Sequence, residues 1–426
     1  MESPLLMLAT TVAILASIFY VWAKYKLTYW QQRGVPTLPT NLIFGNFKDA
    51  MLLRVSPGYL LGRLYNEARG DPPFLGIYIM HKPFLILRDP KIIKQMIIKD
   101  FNFFQNRYFS SRNRNDKLGT DNLFSINNPE WKYIRTKLSP TFTSGKLKQL
   151  FHLMVETSDN MKNYLDNKFA DDKNKIQSIE VKDTSTMYTT DIVASLAFGI
   201  STNSFDQPTP EFYKRRFEGD SLVAQSAIFF IAGLESSSVT ISFALYELAR
   251  RPDLQDRVRT EIIDNLNKFG GLTYDSIQNM KYLMQVINET LRLYPPAPII
   301  DRVATEDYKI PDTDIIIEKG TAVYIPLPGV HKNPKYHPDP EKFDPDRFSE
   351  ERKNDMESCT FLPFGEGPRI CIAFRVGMLQ TAVGLIRILQ GYEVSVNPNY
   401  KTEISTRNIF TTPANGIHLY FKKLNV

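Results

Sequence analysis

One segment near the carboxyl end constrains this chain more than any other. It reads PFGEGPRICIAFRVGM, from Pro363 to Met378, and places a single cysteine, Cys371, between a glycine-rich loop and an amphipathic helical pattern. Loop N–H groups can donate to sulfur and a helix N-terminus favours negative charge, so this thiol can ionise and hold a metal. Gly365 and Gly367 allow the backbone to approach a flat ligand closely. Arg369 is placed to meet an anionic group on that ligand.

The alternative is that Cys371 is a small buried apolar side chain, which is the common role of an isolated cysteine. The second cysteine, Cys359, cannot build a disulfide framework with it in a chain of 426 residues, so we expect the folded part in a reducing compartment. The sequence has no CxxCH motif and no phosphate loop with lysine. Its five histidines are scattered, and none stands in a context comparable to Cys371.

The composition is that of a globular protein with a large core, at 43% hydrophobic and 12% aromatic residues. The net charge of +6 and the isoelectric point near 8.9 suit an anionic membrane surface or an acidic partner. The charges nevertheless alternate along the chain without a basic block, and nucleic-acid motifs are absent. We therefore expect no nucleic-acid partner.

The N-terminus predicts a membrane anchor. Residues Leu5 to Ala23 carry no charge, and with two preceding residues they reach the roughly 20 residues that cross a bilayer. A signal peptide is the alternative, but Glu2 precedes the apolar run and lysines follow it, which places the body in the cytosol. We divide the chain into an anchor at 1–23, a proline-containing hinge at 24–45 and a catalytic body at 46–426.

Beyond the hinge the patterns are mainly helical. Short β-like runs begin at Phe74 and Phe84, and a polar loop, DDKNK, begins at Asp171. Helical patterns follow, ending at Ile200, covering Ser221 to Ala249 and starting at Met280. The C-terminal third is rich in proline and is expected to be irregular.

Three further groupings have an ordinary reading and a functional one. Glu289 and Arg292 share a helix face, with Arg347 as a third member, and such pairs are usually solvated ion pairs. Trp131 and Arg135, four residues apart, also share a face and could hold a carboxylate, although a core tryptophan beside a surface arginine is commoner. The third grouping is Ala232 to Ser238, which puts an acid and hydroxyls into an apolar helix, as a kink with back-bonded serines also would.

The cysteine segment resembles the haem-binding loop of cytochromes P-450. The family pattern is Phe, two residues, Gly, one residue, Arg, one residue, Cys, one residue, Gly. Phe364, Gly367, Arg369 and Cys371 match it, while Ala373 replaces the final glycine. The resemblance implies a mainly α fold with small β-sheets, an N-terminal transmembrane helix and Cys371 as the axial ligand of haem iron.

The same resemblance implies roles for other residues. Trp131 and Arg135 match the helix that binds a haem propionate, and Arg302 matches a further propionate-binding arginine. Glu235 and Ser236 stand where the family has an acid and a hydroxyl residue, usually threonine, that relay protons to dioxygen. Glu289, Arg292 and Arg347 would lock their helix to the segment that supports the cysteine loop.

The activity so implied is that of an insect-type microsomal monooxygenase. It inserts one oxygen atom of O2 into a lipophilic substrate and uses haem b as its cofactor. Electrons come from NADPH through the cytochrome P-450 reductase, with cytochrome b5 as a second donor. The protein would lie in the endoplasmic reticulum membrane with its catalytic domain facing the cytosol. Residues Ala297 to Asp301 and Phe410 to Pro413 would contribute to substrate selectivity.

One feature departs from the family. Helices that roof the substrate pocket should follow Ile200, but only 20 residues, Ser201 to Asp220, separate two helical patterns here. We therefore predict an internal deletion of the roof helices between about Ile200 and Ser221. The alternative function is a truncated relative that binds haem poorly and has little or no turnover, because apolar surface on the central helix would be open to water.

Overall fold

The computed structural model describes residues 4–109, 117–170, 176–200, 202, 204–205 and 220–424. The loop predicted at Asp171 lies outside these residues, as does most of the segment from Ser201 to Asp220 in which the deletion is predicted. The described residues form a mainly helical protein with small β-sheets, which confirms the predicted fold class.

The α-helices run from an exposed apolar helix at the N-terminus to a buried helix after Cys371. Their bounds are α1 Pro4–Lys26, α2 Lys48–Met51, α3 Pro57–Glu67, α4 Pro90–Lys94, α5 Lys117–Thr120, α6 Glu130–Leu138, α7 Ser144–Lys168, α8 Val181–Phe198, α9 Asp220–Ala249, α10 Pro252–Phe269, α11 Tyr274–Gln278, α12 Lys281–Leu293, α13 Leu327–Val330, α14 Glu350–Lys353 and α15 Phe374–Leu389. Shorter turns of 3-10 helix occur at Gln31–Arg33, Phe101–Phe103, Ser139–Phe142, Pro345–Phe348 and Gly367–Arg369, and a π-helical turn occurs at Gln95–Lys99. The three long helices predicted from periodicity are α8, α9 and α12.

The described strands form small sheets. Their bounds are β1 Phe74–Ile79, β2 Lys82–Leu87, β3 Ile176–Glu180, β4 Ile299–Val303, β5 Tyr308–Lys309, β6 Ile316–Ile317, β7 Ala322–Pro326, β8 Tyr392–Val396 and β9 His418–Lys423. One sheet has the order β1-β2-β7-β4, with β2 and β7 parallel; another has the order β3-β9-β8, and β5 pairs with β6. The C-terminal third was expected to be irregular, but it contains helices and strands. The sequence did not reveal these strands because they are too short to show a period.

Local signals set the ends of the central helices. Before α8, the Glu180 carboxylate accepts the backbone N–H of Lys182 at 3.1 Å, and α8 ends at Gly199, whose φ of +63° is left-handed. The helix α10 has Pro252 in its first turn, where a missing N–H costs nothing. The helix α12 ends just before two consecutive prolines, which cannot continue it.

The cysteine segment lies between two hydrophobic cores. One core surrounds β1, β2, β7 and α3, and the other joins α7 to α10 with α12, α15, β8 and β9. Leu362 is buried in the first core, whereas Phe364 packs against the second. The loop that carries Cys371 is thus positioned from both sides by close packing.

The N-terminal helix differs from the central one in its surroundings. Both α1 and α9 contain a stretch long and apolar enough to cross a membrane, but 0% of that stretch is buried in α1 and 50% in α9. The segment predicted as a hinge packs on the body: the Trp30 indole donates to the Ile77 carbonyl at 3.2 Å, and the Gly76 N–H donates to the Pro36 carbonyl at 2.8 Å.

Candidate functional site

The loop before α15 closes on itself and presents Cys371. The Cys371 N–H donates to the Phe364 carbonyl at 2.8 Å, and the Ile370 N–H donates to the Gly367 carbonyl at 3.0 Å. Gly365 and Gly367 have φ values of +74° and +73°, which side chains other than glycine adopt rarely. These contacts fix the cysteine at the N-terminal end of the helix.

The two glycines serve different purposes. A Cβ on Gly367 would lie 2.4 Å from the carbonyl oxygen of Ile97, so the neighbouring π-helical turn requires this glycine. Around Gly365 the nearest atom to such a Cβ would be the Arg369 carbonyl oxygen, at 4.0 Å. Close approach to a flat ligand was expected at both positions, and only Gly365 has the free space for it.

The Cys371 thiol is accessible and yet desolvated. Its side chain is exposed, but burial of its surroundings raises the pKa of the thiol, while an N–H of Ala373 and the charges of Arg135 and Arg107 lower it. Desolvation is the larger effect, so the pKa of the thiol stays above its ordinary value, and the two arginines offset part of the rise.

Arg369 lies close to three other arginines. Burial, together with the charges of Arg107, Arg302 and Arg135, lowers the pKa of Arg369 to about 8. Burial and the charge of Arg107 likewise lower the pKa of Arg302 to about 9. The carboxylate that faces them is Asp301, which accepts from Arg107 Nη1 at 2.9 Å and is 1% exposed. Positive charge is therefore in excess at this site.

Arg369 and Trp131 are in direct contact. The Arg369 guanidinium lies 4.3 Å from the centre of the Trp131 ring and donates to the carbonyls of Gln105 at 2.6 Å and Ile126 at 3.0 Å. Arg135, one turn after Trp131 on α6, is half-buried. The structure thus places all three of these predicted haem-binding residues near the cysteine loop.

The arginine cluster fits an anionic ligand. The Nε atoms of Arg107 and Arg302 are buried and have no hydrogen-bond partner in the described part of the chain. Such orphaned donors are costly unless a ligand satisfies them. Arg107 was missed by the sequence analysis, because no motif surrounds it and its partner Asp301 lies 194 residues away.

The predicted acid and hydroxyl on α9 have other partners. Glu235 Oε2 accepts from Lys182 Nζ on α8 at 3.0 Å, and the Ser236 hydroxyl donates to the Ala232 carbonyl at 2.6 Å. Among the described residues, no contact joins this pair to Cys371. Lys182 was also missed by the sequence analysis, because nothing in the sequence links α8 to this turn of α9.

A buried ion-pair network supports the cysteine loop from below. Arg292 Nε lies 2.6 Å from Glu289, both side chains are 0% exposed, and Arg347 Nε lies 3.5 Å from the same carboxylate. Burial raises the pKa of the Glu289 carboxyl, because desolvation outweighs the two neighbouring guanidinium groups. The spacing of Glu289 and Arg292 predicted that they share a helix face, and the family resemblance implied that Arg347 joins them.

The network reaches the loop through His331. Arg292 Nη1 donates to the His331 carbonyl at 3.0 Å, and His331 Nε2 accepts the Leu362 N–H at 2.9 Å. Burial lowers the pKa of His331 well below its usual range, which keeps the ring neutral and able to accept. Leu362 in turn accepts the Gly365 N–H at 2.9 Å.

Comparison of the sequence with known proteins identifies the family. The sequence profile of the cytochrome P-450 family matches residues 43–218 and 213–421. The chain belongs to the cytochrome P-450 family. Cytochrome P-450 6k1 of Blattella germanica is 35% identical to it, covering 98% of this chain and 97% of the relative. Two Drosophila melanogaster proteins, probable cytochromes P-450 6g2 and 6a23, are 33% and 34% identical over nearly their whole lengths.

These relatives confirm an insect-type cytochrome P-450, and with it an oxidoreductase of the monooxygenase class. The alignment with the Blattella relative extends over 518 positions, more than the 426 residues of this chain. The two profile matches meet at residues 213–218, inside the segment where the deletion is predicted. The internal deletion is thus consistent with the comparisons.

Proposed function

We propose that this chain is a haem-thiolate monooxygenase in which Cys371 is the axial ligand of the iron of haem b. The observation that carries the proposal is the exposed Cys371 side chain, whose backbone N–H donates to the Phe364 carbonyl, in a loop that lies beside a cluster of four arginines. When bound, haem with a thiolate ligand supplies the chemistry of dioxygen cleavage, because the thiolate donates electron density to iron. The protein supplies the ligand, the charge and the surroundings.

The arginines and Trp131 would hold the haem propionates. Arg302 is well placed, because its buried Nε, like that of Arg107, has no partner in the described residues. Arg369 already donates to backbone carbonyls, so it would act mainly through its charge. Trp131 and Arg135 would act from α6, and Phe364 would pack the loop under the ring.

We assign proton delivery to Glu235 and Ser236. The Glu235 carboxylate is 31% exposed, so it can exchange protons with solvent, and Lys182 holds it at 3.0 Å. The Ser236 hydroxyl would pass the proton inward after turning away from the Ala232 carbonyl. Serine keeps the hydroxyl of the usual threonine but lacks the methyl group that fixes its rotamer, which lowers the expected efficiency.

Electrons would come from NADPH through the membrane-bound reductase, with cytochrome b5 as a second donor. Exposed lysines on α6 and α7, including Lys132, Lys137 and Lys146, offer a basic surface near the cysteine loop. We propose that α1 crosses the endoplasmic reticulum membrane and that residues 46–426 face the cytosol, since Lys24 and Lys26 end the apolar helix.

The substrate would be lipophilic. The Thr411 N–H donates to the Pro296 carbonyl at 2.9 Å, which brings the two segments proposed for selectivity together. Phe410 beside this bond is 47% exposed and offers an apolar contact. Asp301, at the end of the segment Ala297 to Asp301, is paired with Arg107. It would therefore interact with the arginine cluster rather than with the substrate.

One observation favours the alternative of a truncated relative with weak haem retention. On α9, Ile231 is 56% exposed and Ala232 is exposed, about three helical turns after the segment in which the deletion is predicted. Apolar surface open to water favours association, and water in the pocket wastes reducing equivalents. We therefore expect little or no turnover from this 426-residue form.

Turnover in vesicles tests both functions. The full chain is combined with the reductase, NADPH and a panel of lipophilic substrates, and product is compared with hydrogen peroxide. The matched control is a chimaera that carries the longer segment of a relative between Ile200 and Asp220. We expect peroxide from the chain and hydroxylated product from the chimaera, with product lost again in Ser236→Ala. Coupled hydroxylation by the chain itself would show that the missing segment is dispensable.

A further inference from the structure

A buried glutamine joins the cysteine-bearing helix to the two helices beside it. Gln380 lies on α15, nine residues after Cys371, and is 1% exposed. Its Nε2 donates to the Gly233 carbonyl on α9 at 2.9 Å. Its backbone carbonyl accepts the Tyr188 hydroxyl on α8 at 3.0 Å. One residue therefore ties α15 to both α8 and α9.

The three helices approach each other closely at this level. A Cβ on Gly233 would lie 2.9 Å from Cγ2 of Val193 on α8. One turn after Gln380, a Cβ on Gly384 would lie 2.8 Å from Cδ1 of Ile241 on α9. Helices packed this tightly cannot slide freely past one another. The hydrogen bonds between them fix the register in which they pack.

Packing alone does not account for the glutamine. Its Oε1 is buried and has no hydrogen-bond partner among the described residues. A buried amide with one unsatisfied atom costs stability, and an apolar side chain of the same size would avoid that cost. What the amide adds is its bond to the carbonyl of Gly233, two residues before Glu235.

We infer that Gln380 is a positioning residue that holds the segment Ala232 to Ser236 at a fixed place relative to Cys371. The inference rests on the proposed function, in which Glu235 and Ser236 deliver protons toward the haem that Cys371 ligates. Lys182 holds the same segment from α8 through Glu235. Gln380 holds it from the side of the thiolate, so the proton donors and the cysteine keep one geometry.

Hydrogen exchange of the full chain tests the positioning directly, with or without haem. In Gln380→Leu, the amides of residues 233–240 lose one hydrogen bond of support, so we expect them to exchange about fivefold to tenfold faster. The matched control is Gln255→Leu: Gln255 is also buried and donates to the carbonyls of Leu248 and Val394 from α10. The control should leave exchange in 233–240 unchanged.

Gln380→Glu keeps the inference testable if the leucine variant folds poorly. A protonated carboxyl can donate to the Gly233 carbonyl, whereas an ionised one cannot. Burial keeps the carboxyl protonated up to a higher pH than in water. Exchange in 233–240 should therefore equal that of the wild type at about pH 6 and rise above it at about pH 9. Equal exchange at both pH values in the wild type, Gln380→Leu and Gln380→Glu would overturn the inference.

A second readout separates this inference from the proposed function. In the chimaera that carries a relative's longer segment between Ile200 and Asp220, combined with the reductase, Gln380→Leu should release more peroxide per NADPH than Gln255→Leu at the same thermal stability, while the carbon monoxide spectrum stays that of the unaltered chimaera. A wild-type chain without a thiolate spectrum defeats the proposed function. A wild-type thiolate spectrum, with peroxide and exchange in Gln380→Leu matching Gln255→Leu, defeats the inference alone.

Discussion

The side of the protein that carries Cys371 and the outer turns of α9 are built in opposite ways. Beneath the cysteine loop, Glu289 and Arg292 are fully buried and linked to the loop through His331. On α9, Ile231 is 56% exposed and Ala232 is exposed. The cysteine side is supported by contacts within the described chain, whereas these turns of α9 leave apolar side chains exposed.

The difference teaches that the support of the cysteine loop and the covering of α9 are separable in this chain. The first depends on buried charges and backbone hydrogen bonds among the described residues. The second is incomplete, because apolar side chains of α9 are open to water. Substitutions beneath the cysteine loop should therefore lower the free energy of unfolding more than substitutions on the exposed turns of α9.

The largest effect is expected in the buried ion pair. Arg292→Met leaves the Glu289 carboxylate without its closest partner and removes donors to three backbone carbonyls, so it should cost about 3–5 kcal/mol in the free energy of unfolding. Urea unfolding measures the loss. Lys281→Gln is the control, because Lys281 pairs with Glu350 on the surface, and it should change nothing measurable. Similar midpoints for both variants would contradict a rigid support beneath the loop.

A smaller effect concerns pH. Burial lowers the pKa of His337 from 6.5 to about 4. Between pH 4 and pH 6.5, His337 is therefore protonated in the unfolded chain and neutral in the folded chain. Its contribution to stability is thus present above pH 6.5 and is lost as the pH falls toward 4, at about 1.4 kcal/mol per pH unit. Urea unfolding at several pH values should show a shallower slope in His337→Gln. The exposed His152, replaced by Gln, should leave the slope as it is; equal slopes in both variants would count against the buried neutral ring.

The arginine cluster should matter for haem affinity rather than for folding. Arg302→Met removes a buried guanidinium whose Nε lacks a partner in the described residues, so haem binding should weaken about tenfold. Haem titration measures it, and haem with esterified propionates serves as the matched ligand. The ester should bind wild type and Arg302→Met equally. A preference of the wild type for the ester would contradict the assignment of the cluster to propionates.

The smallest effect is expected on the exposed turns of α9. Ile231→Glu should change the free energy of unfolding by less than about 0.5 kcal/mol while reducing self-association measured by light scattering. Its control, Ile241→Glu, lies on the same helix at 1% exposure and should unfold the protein. A large stability loss in Ile231→Glu would show that this face is covered after all.

The sequence predicted the parts that depend on local spacing. The cysteine loop, the helices α8, α9 and α12, and the pairing of Glu289 with Arg292 all follow from residues close together in the chain. Contacts between distant segments could not be predicted that way. Arg107 pairs with Asp301, which is 194 residues away in the sequence, and Lys182 pairs with Glu235, which is 53 residues away. Neither Arg107 nor Lys182 lies in a recognisable motif. The sequence also could not predict that the Ile97 carbonyl approaches Gly367 too closely for any side chain at that position.

The carbon monoxide spectrum of the reduced protein tests the central claim most directly. The account predicts the long-wavelength band of thiolate ligation in the full chain and in Cys359→Ser, because Cys359 is buried in a hydrophobic core whereas the Cys371 side chain is exposed. It predicts loss of that band in Cys371→Ser. A histidine-type band in the unaltered chain, or survival of the thiolate band in Cys371→Ser, would contradict the assignment of Cys371 as the iron ligand.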